Sequence, residues 1–178
     1  MKIIFSDKKP RDECAIFGIS GNPQAAELVA LGLHALQHRG QDSTGVVTTD
    51  SINFFAHRGM GQVSEVFSEK KIFNHLKGDL SIGHNRYGTT GESALKNVQP
   101  LFSELNIGGI AIAHNGNLTN TNFLREEFIK DGAIFQSTSD TEVILHLISR
   151  SRGDLIDRLI YSLHSIKGAD ALFLMTKA

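Results

Sequence analysis

The apolar residues of this chain are grouped into blocks of strand-like and helix-like spacing, and this order restricts the fold more than any other feature. Residues 15–19 are continuously apolar apart from Gly18 and predict a buried strand. Asn22-Pro23 predicts the start of a helix, and apolar residues at helical spacing continue to Gln37. Residues 44–58 then contain two β-rich runs separated by Asp50-Ser51, a pattern that predicts a hairpin.

The second half of the chain carries most of the predicted helices. Residues 63–76 predict a helix, and residues 80–87 and 110–114 predict two more buried strands. Further helices are predicted at residues 120–131 with Gly132 as the stop, at residues 140–152 behind a Ser139/Glu142 capping box, and from Asp154 onward, before a last strand at residues 171–175. Because helices and antiparallel strands are segregated, the order favours sheets covered by helices over a doubly wound parallel sheet.

Composition narrows the possible functions. A chain of 178 residues suits one domain with its own core. Its formal net charge of -1 creates no global field that would attract nucleic acid or an anionic membrane. No apolar run approaches the ~18 residues of a membrane span, and residues 1–13 lack the apolar centre of a secretory signal, so cytoplasmic residence is expected. His34 and His38 have i,i+4 spacing, but no third ligand is suggested, so no metal site is expected.

The chain has a single cysteine, Cys14, directly before its first predicted strand. One cysteine excludes an intramolecular disulfide and a multi-cysteine metal or iron–sulfur site within the chain. A lone cysteine is most often a small buried hydrophobe. The alternative is a nucleophile, and its place between a polar leader and a core strand favours that role, because reactive groups are best held on rigid elements.

Four polar clusters also lie at the ends of predicted elements. They are residues 38–45 (HRGQDSTG), 83–89 (GHNRYGT), 114–117 (HNGN) and 137–140 (STSD). Each cluster alone is explained by turn chemistry, since Asn-Gly and Ser-Asp are favoured in turns for backbone reasons. Five motifs including the cysteine, in one order along the chain, are harder to explain in that way.

Taken together, these motifs closely resemble the glutaminase domain of class II glutamine amidotransferases, which are N-terminal-nucleophile hydrolases. The form His-Arg-Gly-Gln-Asp-Ser-Thr-Gly is most similar to the glutamine phosphoribosylpyrophosphate amidotransferases of purine synthesis, and the resemblance covers residues 12 to 178. It implies an α+β fold, a four-layer αββα sandwich of the N-terminal-nucleophile hydrolase type.

The resemblance also implies a propeptide at residues 1–13, whose removal makes Cys14 the N-terminal residue of a glutaminase domain at residues 14–178. The chemistry supports this expectation. A free α-amino group with a pKa of about 7.7–8.0 can take the thiol proton near neutral pH, whereas an amide nitrogen cannot. The chain should therefore be inactive while Glu13 remains attached.

Roles for the polar clusters follow from the resemblance to this family. Asn115 and Gly116 would stabilise the oxyanion. For L-glutamine, Arg86 would hold the α-carboxylate, Asp140 the α-ammonium, and Thr89 would add a hydrogen bond. Four more residues are interpreted as supporting: Arg39 and Asp42 as scaffold near Cys14, and His84 and His114 as braces of strand ends.

Several expectations reach beyond this chain. The phosphoribosyltransferase domain of the family would follow residue 178, and the full-length enzyme would be a homo-oligomer that uses Mg²⁺ with phosphoribosylpyrophosphate. No cofactor is expected in this chain, since an iron–sulfur cluster of some members would need cysteines outside it. Two alternatives stay open: another class II amidotransferase, making glucosamine 6-phosphate, glutamate or asparagine, or a truncated, non-catalytic remnant. One departure is Ala15, where the family commonly has glycine.

Overall fold

The computed structural model of the chain describes residues 14–88 and 93–177. The predicted propeptide and Thr89 lie outside these residues. The described strands are β1 (Ala15–Ser20), β2 (Ser43–Thr49), β3 (Phe54–Met60), β4 (Leu80–Arg86), β5 (Leu101–Leu105), β6 (Gly108–Leu118) and β7 (Gly168–Thr176). The α-helices are α1 (Ala25–Ala35), α2 (Val63–Val66), α3 (Thr121–Lys130), α4 (Asp140–Arg150) and α5 (Leu155–Ser165).

The strands form two antiparallel sheets that pack face to face. Sheet one has the order β1-β4-β2-β3, and sheet two has the order β5-β6-β7. Helices α1 and α2 pack on the outer face of sheet one, and α4 packs on the outer face of sheet two. The four layers, helix, sheet, sheet and helix, confirm the predicted αββα sandwich.

Side chains along the central strands β2 and β6 point alternately toward a helix layer and toward the other sheet, and this explains why each sheet is covered on both faces. In β2, Val46 packs with the helix α1 cluster while its neighbour Val47 packs between the sheets. In β6, Ile112 packs against the α4 side while Ala111 and Ala113 face the other sheet. Successive strand residues point to opposite faces, so a strand apolar on both faces must be covered on both. Alanine at the inter-sheet positions leaves room for close approach of the two sheets.

The structure corrects several predicted boundaries. Helix α1 begins at Ala25, because residues 23–24 form a turn in which the Asn22 side chain accepts the Gln24 N–H at 2.8 Å. The first hairpin has a four-residue connection, in which Asp50 accepts backbone N–H groups and Ser51 has φ +74°. Residues 63–76 contain only α2 and a 3-10 helix, Lys70–His75. Strand β5 was not predicted, and β6 extends to Leu118 because its polar end still pairs with β7.

The predicted capping box at Ser139 is only half right. The Ser139 hydroxyl accepts the Thr141 N–H at 3.3 Å, as an N-cap residue should. Glu142 turns away and accepts the backbone N–H groups of Gln136 and Ser137 at 2.8 and 2.7 Å. The carboxylate therefore orders the loop before α4. Among the described residues, no helix is long and apolar enough to cross a membrane.

Candidate active site

Cys14 lies directly before β1, where this strand meets the end of β4. Ala15 pairs with Asn85, and the Tyr87 N–H donates to Cys14 Sγ at 3.4 Å. On the other side, Arg39 Nε donates to the Cys14 carbonyl at 3.4 Å. The thiol is half-buried. Strand β4 is an inner strand of sheet one, and β1 is hydrogen-bonded to it.

The electrostatics of the thiol favour its protonated form. Burial raises the pKa of Cys14, the negative charge of Asp140 adds to that effect, and the Tyr87 N–H and the Arg86 charge oppose it only in part. A protonated thiol is a weak nucleophile and needs a base near it. The Tyr87 contact places the sulfur beside Arg86, the preceding residue of the chain, and the charges of Arg86 and Asp140 both act on the thiol.

Arg86 is fixed by Asp42. Its Nη1 donates to Asp42 Oδ2 at 3.0 Å, and the Asp42 N–H donates to the Arg86 carbonyl at 3.0 Å. Ser93 donates to the other carboxylate oxygen of Asp42. Gly40 permits this close packing, because a Cβ there would lie 2.8 Å from the Arg86 carbonyl carbon. This geometry suits Asp42 as a scaffold residue that orients the Arg86 guanidinium. A guanidinium can donate two parallel hydrogen bonds to a carboxylate.

Asp140 is the first residue of α4, at the positive end of the helix dipole. Burial acts to raise the pKa of Asp140, but the contact with His114 and the N–H groups of Leu118 and Thr141 outweigh it and hold that pKa below its ordinary value. The Leu118 N–H donates to Oδ2 at 3.4 Å, and His114 Nδ1 lies 3.7 Å from Oδ1. The carboxylate is therefore ionised at neutral pH and can pair with an ammonium.

The loop before Asp140 is held by a side chain that the sequence did not reveal. Arg125 of α3 donates to the carbonyls of Ser137 and Ser139 at 2.9 and 2.7 Å. Its guanidinium also lies 4.1 Å from the centre of the Phe135 ring. In the sequence Arg125 is one of several charged residues on an amphipathic helix, and no local pattern separates it from solvated neighbours. Tyr87 was in a predicted cluster, but its backbone contact with Cys14 is visible only in the structure.

Asn115 and Gly116 lie on β6 between His114 and Leu118, the two β6 residues that contact Asp140. Asn115 is half-buried and Gly116 is exposed, so both are accessible to a small molecule. Within residues 14–88 and 93–177, no hydrogen bond joins the Asn115 side chain to Cys14. The structure therefore places the predicted oxyanion residues beside Asp140 and does not link them directly to the thiol.

His84 connects the two sheets. Its Nε2 lies 3.1 Å from the His114 carbonyl oxygen. Burial, helped by the neighbouring His114, lowers the pKa of His84 to about 3, so the ring is neutral near pH 7. A neutral ring that carries its proton on Nε2 donates to this carbonyl, a contact that suits the predicted bracing role. Among the described residues, no three His, Cys, Asp or Glu side chains form a group that could hold a metal ion.

The sandwich, with a cysteine at the edge of its first strand, defines the class of protein, an N-terminal-nucleophile hydrolase fold. Comparison with known families agrees. The family model described as glutamine amidotransferase domain matches residues 55–164. Since the match covers more than half of the chain, the chain belongs to the glutamine amidotransferase domain family.

Within that family, the similar proteins are amidophosphoribosyltransferases. One from Rhizobium etli is 54% identical over 93% of this chain and 34% of its own length. One from Lacticaseibacillus casei is 46% identical over 93% of this chain and 86% of its length. A solved structure of the allosteric regulatory enzyme of purine biosynthesis superposes with a TM-score of 0.85 at 45% identity, covering 91% of this chain and 35% of that one. The chain thus spans about a third of the length of the Rhizobium relative and of the solved structure.

Proposed function

We propose that this chain hydrolyses the side-chain amide of L-glutamine, with Cys14 as the nucleophile once Cys14 is the N-terminal residue. The single observation that carries this proposal is the position of the Cys14 thiol at the end of β4, where it accepts the N–H of Tyr87, the residue after Arg86. His84 of the same strand contacts the His114 carbonyl, and the His114 ring lies 3.7 Å from the Asp140 carboxylate. A guanidinium and an ionised carboxylate match the α-carboxylate and α-ammonium of an amino acid.

In the proposed mechanism, the free α-amine of Cys14 takes the thiol proton, and the thiolate attacks the amide carbon of glutamine. The oxyanion that forms is stabilised by the Asn115 side-chain NH₂ and the Gly116 N–H. The ammonium of Cys14 then returns the proton to the leaving nitrogen, the C–N bond breaks, and ammonia departs. Water, deprotonated by the same amine, cleaves the γ-glutamyl thioester and releases glutamate with the free thiol.

The test compares three forms of the protein: one that begins at Cys14, one that retains Glu13, and a Cys14→Ala variant. We expect glutamate release only from the first form, because the other two lack either the basic amine or the sulfur. Intact-mass measurement of each N-terminus is the control. Equal turnover by the form with Glu13 attached would refute the proposed base, and equal turnover by Cys14→Ala would refute the nucleophile.

We further propose phosphoribosylpyrophosphate as the ammonia acceptor, supported by the names of the similar proteins. The acceptor site would lie in a phosphoribosyltransferase part beyond these 178 residues, and a homo-oligomer and a cytoplasmic location stay predictions. A relative from Vigna aconitifolia is designated chloroplastic. Restoration of growth by the full-length gene in a purine auxotroph, and not in an amino-sugar auxotroph, would support this acceptor over that of glucosamine 6-phosphate synthesis, and the reverse result would refute it.

A further inference from the structure

Residues 97–99 form a buried segment that carries two side-chain amides. Asn97, Val98 and Gln99 are 1%, 0% and 5% exposed. Asn97 is the last residue of a 3-10 helix, Leu95–Asn97, and the segment continues from there toward β5. Buried amides need partners, so the contacts of the two amide groups show what the segment holds.

Gln99 holds the backbone of His114, the residue before Asn115. The His114 N–H donates to Gln99 Oε1 at 2.7 Å, and Gln99 Nε2 donates to the His114 carbonyl at 3.3 Å. Strand β5 pairs with β6 only as far as Leu101 opposite Ile112. The next residue, Pro100, has no N–H to donate. The Gln99 side chain therefore supplies a donor and an acceptor to β6 at a point where the β5 backbone does not.

Asn97 holds the loop before Asp140 in the same reciprocal manner. Its Nδ2 donates to Thr138 Oγ1 at 2.8 Å, and the Thr138 N–H donates to Asn97 Oδ1 at 2.8 Å. Thr138 is separated from Asp140 by Ser139 alone. The two amide groups of this short segment thus hydrogen-bond to His114, which precedes the proposed oxyanion donor Asn115, and to Thr138, in the loop before Asp140.

The segment is also fixed to the sheet that carries Cys14. Arg58 of β3 donates to the Val98 carbonyl at 3.2 Å. Gly45 of β2 lies so close to the Gln99 carbonyl that a Cβ there would collide with it. The segment consequently spans sheet one, β6 and the start of α4.

We propose that Asn97 and Gln99 are positioning residues for glutamine hydrolysis, Gln99 for the oxyanion donor Asn115 and Asn97 for Asp140. This inference rests on the proposed function. Because both amides belong to one short, buried segment, they set the distance between the group that binds the α-ammonium and the group that meets the reacting amide. Misplacement of a catalytic group by about 1 Å can cost on the order of 100-fold in rate.

The two residues should therefore affect different kinetic constants. In Gln99→Leu, we expect kcat to fall about tenfold or more with a small change in the glutamine KM, because Asn115 acts mainly in the transition state. In Asn97→Ala, we expect KM to rise about tenfold with a small change in kcat, because Asp140 pairs with the ammonium in both ground and transition states. Asn97→Asp keeps an acceptor for the Thr138 N–H, so its KM should lie closer to that of the parent than the KM of Asn97→Ala does.

Asn120→Ala is the matched control. Asn120 makes the same kind of reciprocal amide contact, with the Ser165 carbonyl and the Lys167 N–H, each at 2.9 Å, and neither partner belongs to the proposed site. This variant should lose stability without separating kcat from KM. If Gln99→Leu does not fold, Gln99→Glu, which keeps the acceptor for the His114 N–H, takes its place in the comparison.

A second readout does not depend on activity. Hydrogen exchange of the full chain should accelerate about tenfold around His114 and Asn115 in the Gln99 variant, and around Thr138 to Thr141 in the Asn97 variant, each without the other. If the parent is inactive but exchange changes in this pattern, the two amides still order the backbone at His114 and Thr138, and it is the proposed function that fails. If both variants shift kcat and KM together, or loosen the whole domain as Asn120→Ala does, the positioning inference is wrong.

Discussion

Replacement of Asp140 by asparagine tests how the site distinguishes an amino acid from any other amide. Asparagine keeps the shape of the side chain, and its oxygen can still accept the Leu118 N–H. It removes the negative charge. Because the pKa of Asp140 lies below its ordinary value, that charge is present throughout the neutral range and the variant loses it completely.

The size of the effect follows from the surroundings of the carboxylate. The Asp140 side chain is 15% exposed, so water replaces the lost charge poorly. A hydrogen bond to a charged group contributes about 1.5–3 kcal/mol. At about 1.36 kcal/mol per factor of ten, the glutamine KM of Asp140→Asn should rise roughly 10- to 150-fold. In the parent, Asp140 remains ionised from pH 8 down to pH 5, so this residue should cause no change in KM over that range. The KM should increase only at lower pH, where Asp140 is protonated.

The decisive assay uses a second substrate, 4-carbamoylbutanoate, which is glutamine without its α-amino group. Glutamate or glutarate release gives kcat/KM for both enzymes and both substrates. We expect the Asp140→Asn variant to lack most of the preference for glutamine over the analogue that the parent shows. The kcat/KM for the analogue should be nearly equal in the two enzymes. The exposed Asp131→Asn is the control for a lost negative charge. If Asp140→Asn lowers kcat/KM for both substrates by the same factor, Asp140 does not contact the ammonium and this assignment is wrong.

Two further predictions concern stability. His84 has a folded-state pKa of about 3, below its ordinary value, so the unfolded chain binds more protons between these two pKa values and stability must fall as pH decreases through this window. Between pH 7 and 4.5 the loss should be roughly 3 kcal/mol in urea unfolding, and His84→Gln should remove most of this slope; an unchanged slope would contradict the assignment. Gly45→Ala should cost about 1–3 kcal/mol in thermal unfolding, because its Cβ would collide with the Gln99 carbonyl and lie 2.8 Å from Arg58 Cγ. Gly18→Ala, whose Cβ would meet its neighbours at 3.5 Å, should cost clearly less, and equal losses would contradict the packing argument.

That helices cover antiparallel sheets could be predicted from the sequence because hydrophobic periodicity is a local signal, whereas the four layers were implied by the family resemblance. The run from Ala15 and the helical spacing after Ala25 each require a covered face, and their order already separates sheets from helices. Strand β5 shows where this reasoning ends. Its five residues, LFSEL, form a strand because β6 lies beside them, and a short alternating run has no comparable signal of its own.

The candidate site divides in the same way. Cys14, Arg86 and Asp140 belong to motifs that resemble a known family, so they could be named from the sequence. The structure adds that Cys14 lies against the end of β4, which carries Arg86, and that Asp140 contacts His114 and Leu118 of β6. Asn97 and Gln99 could not be named, because an amide side chain near a proline is typical of an ordinary loop. Their partners lie 41 and 15 residues further along the chain. The proposed catalytic and substrate-binding groups are thus positioned by residues whose contacts form only in the folded chain. Substitutions at Asn97 and Gln99 should therefore change catalysis more than their place in a loop suggests.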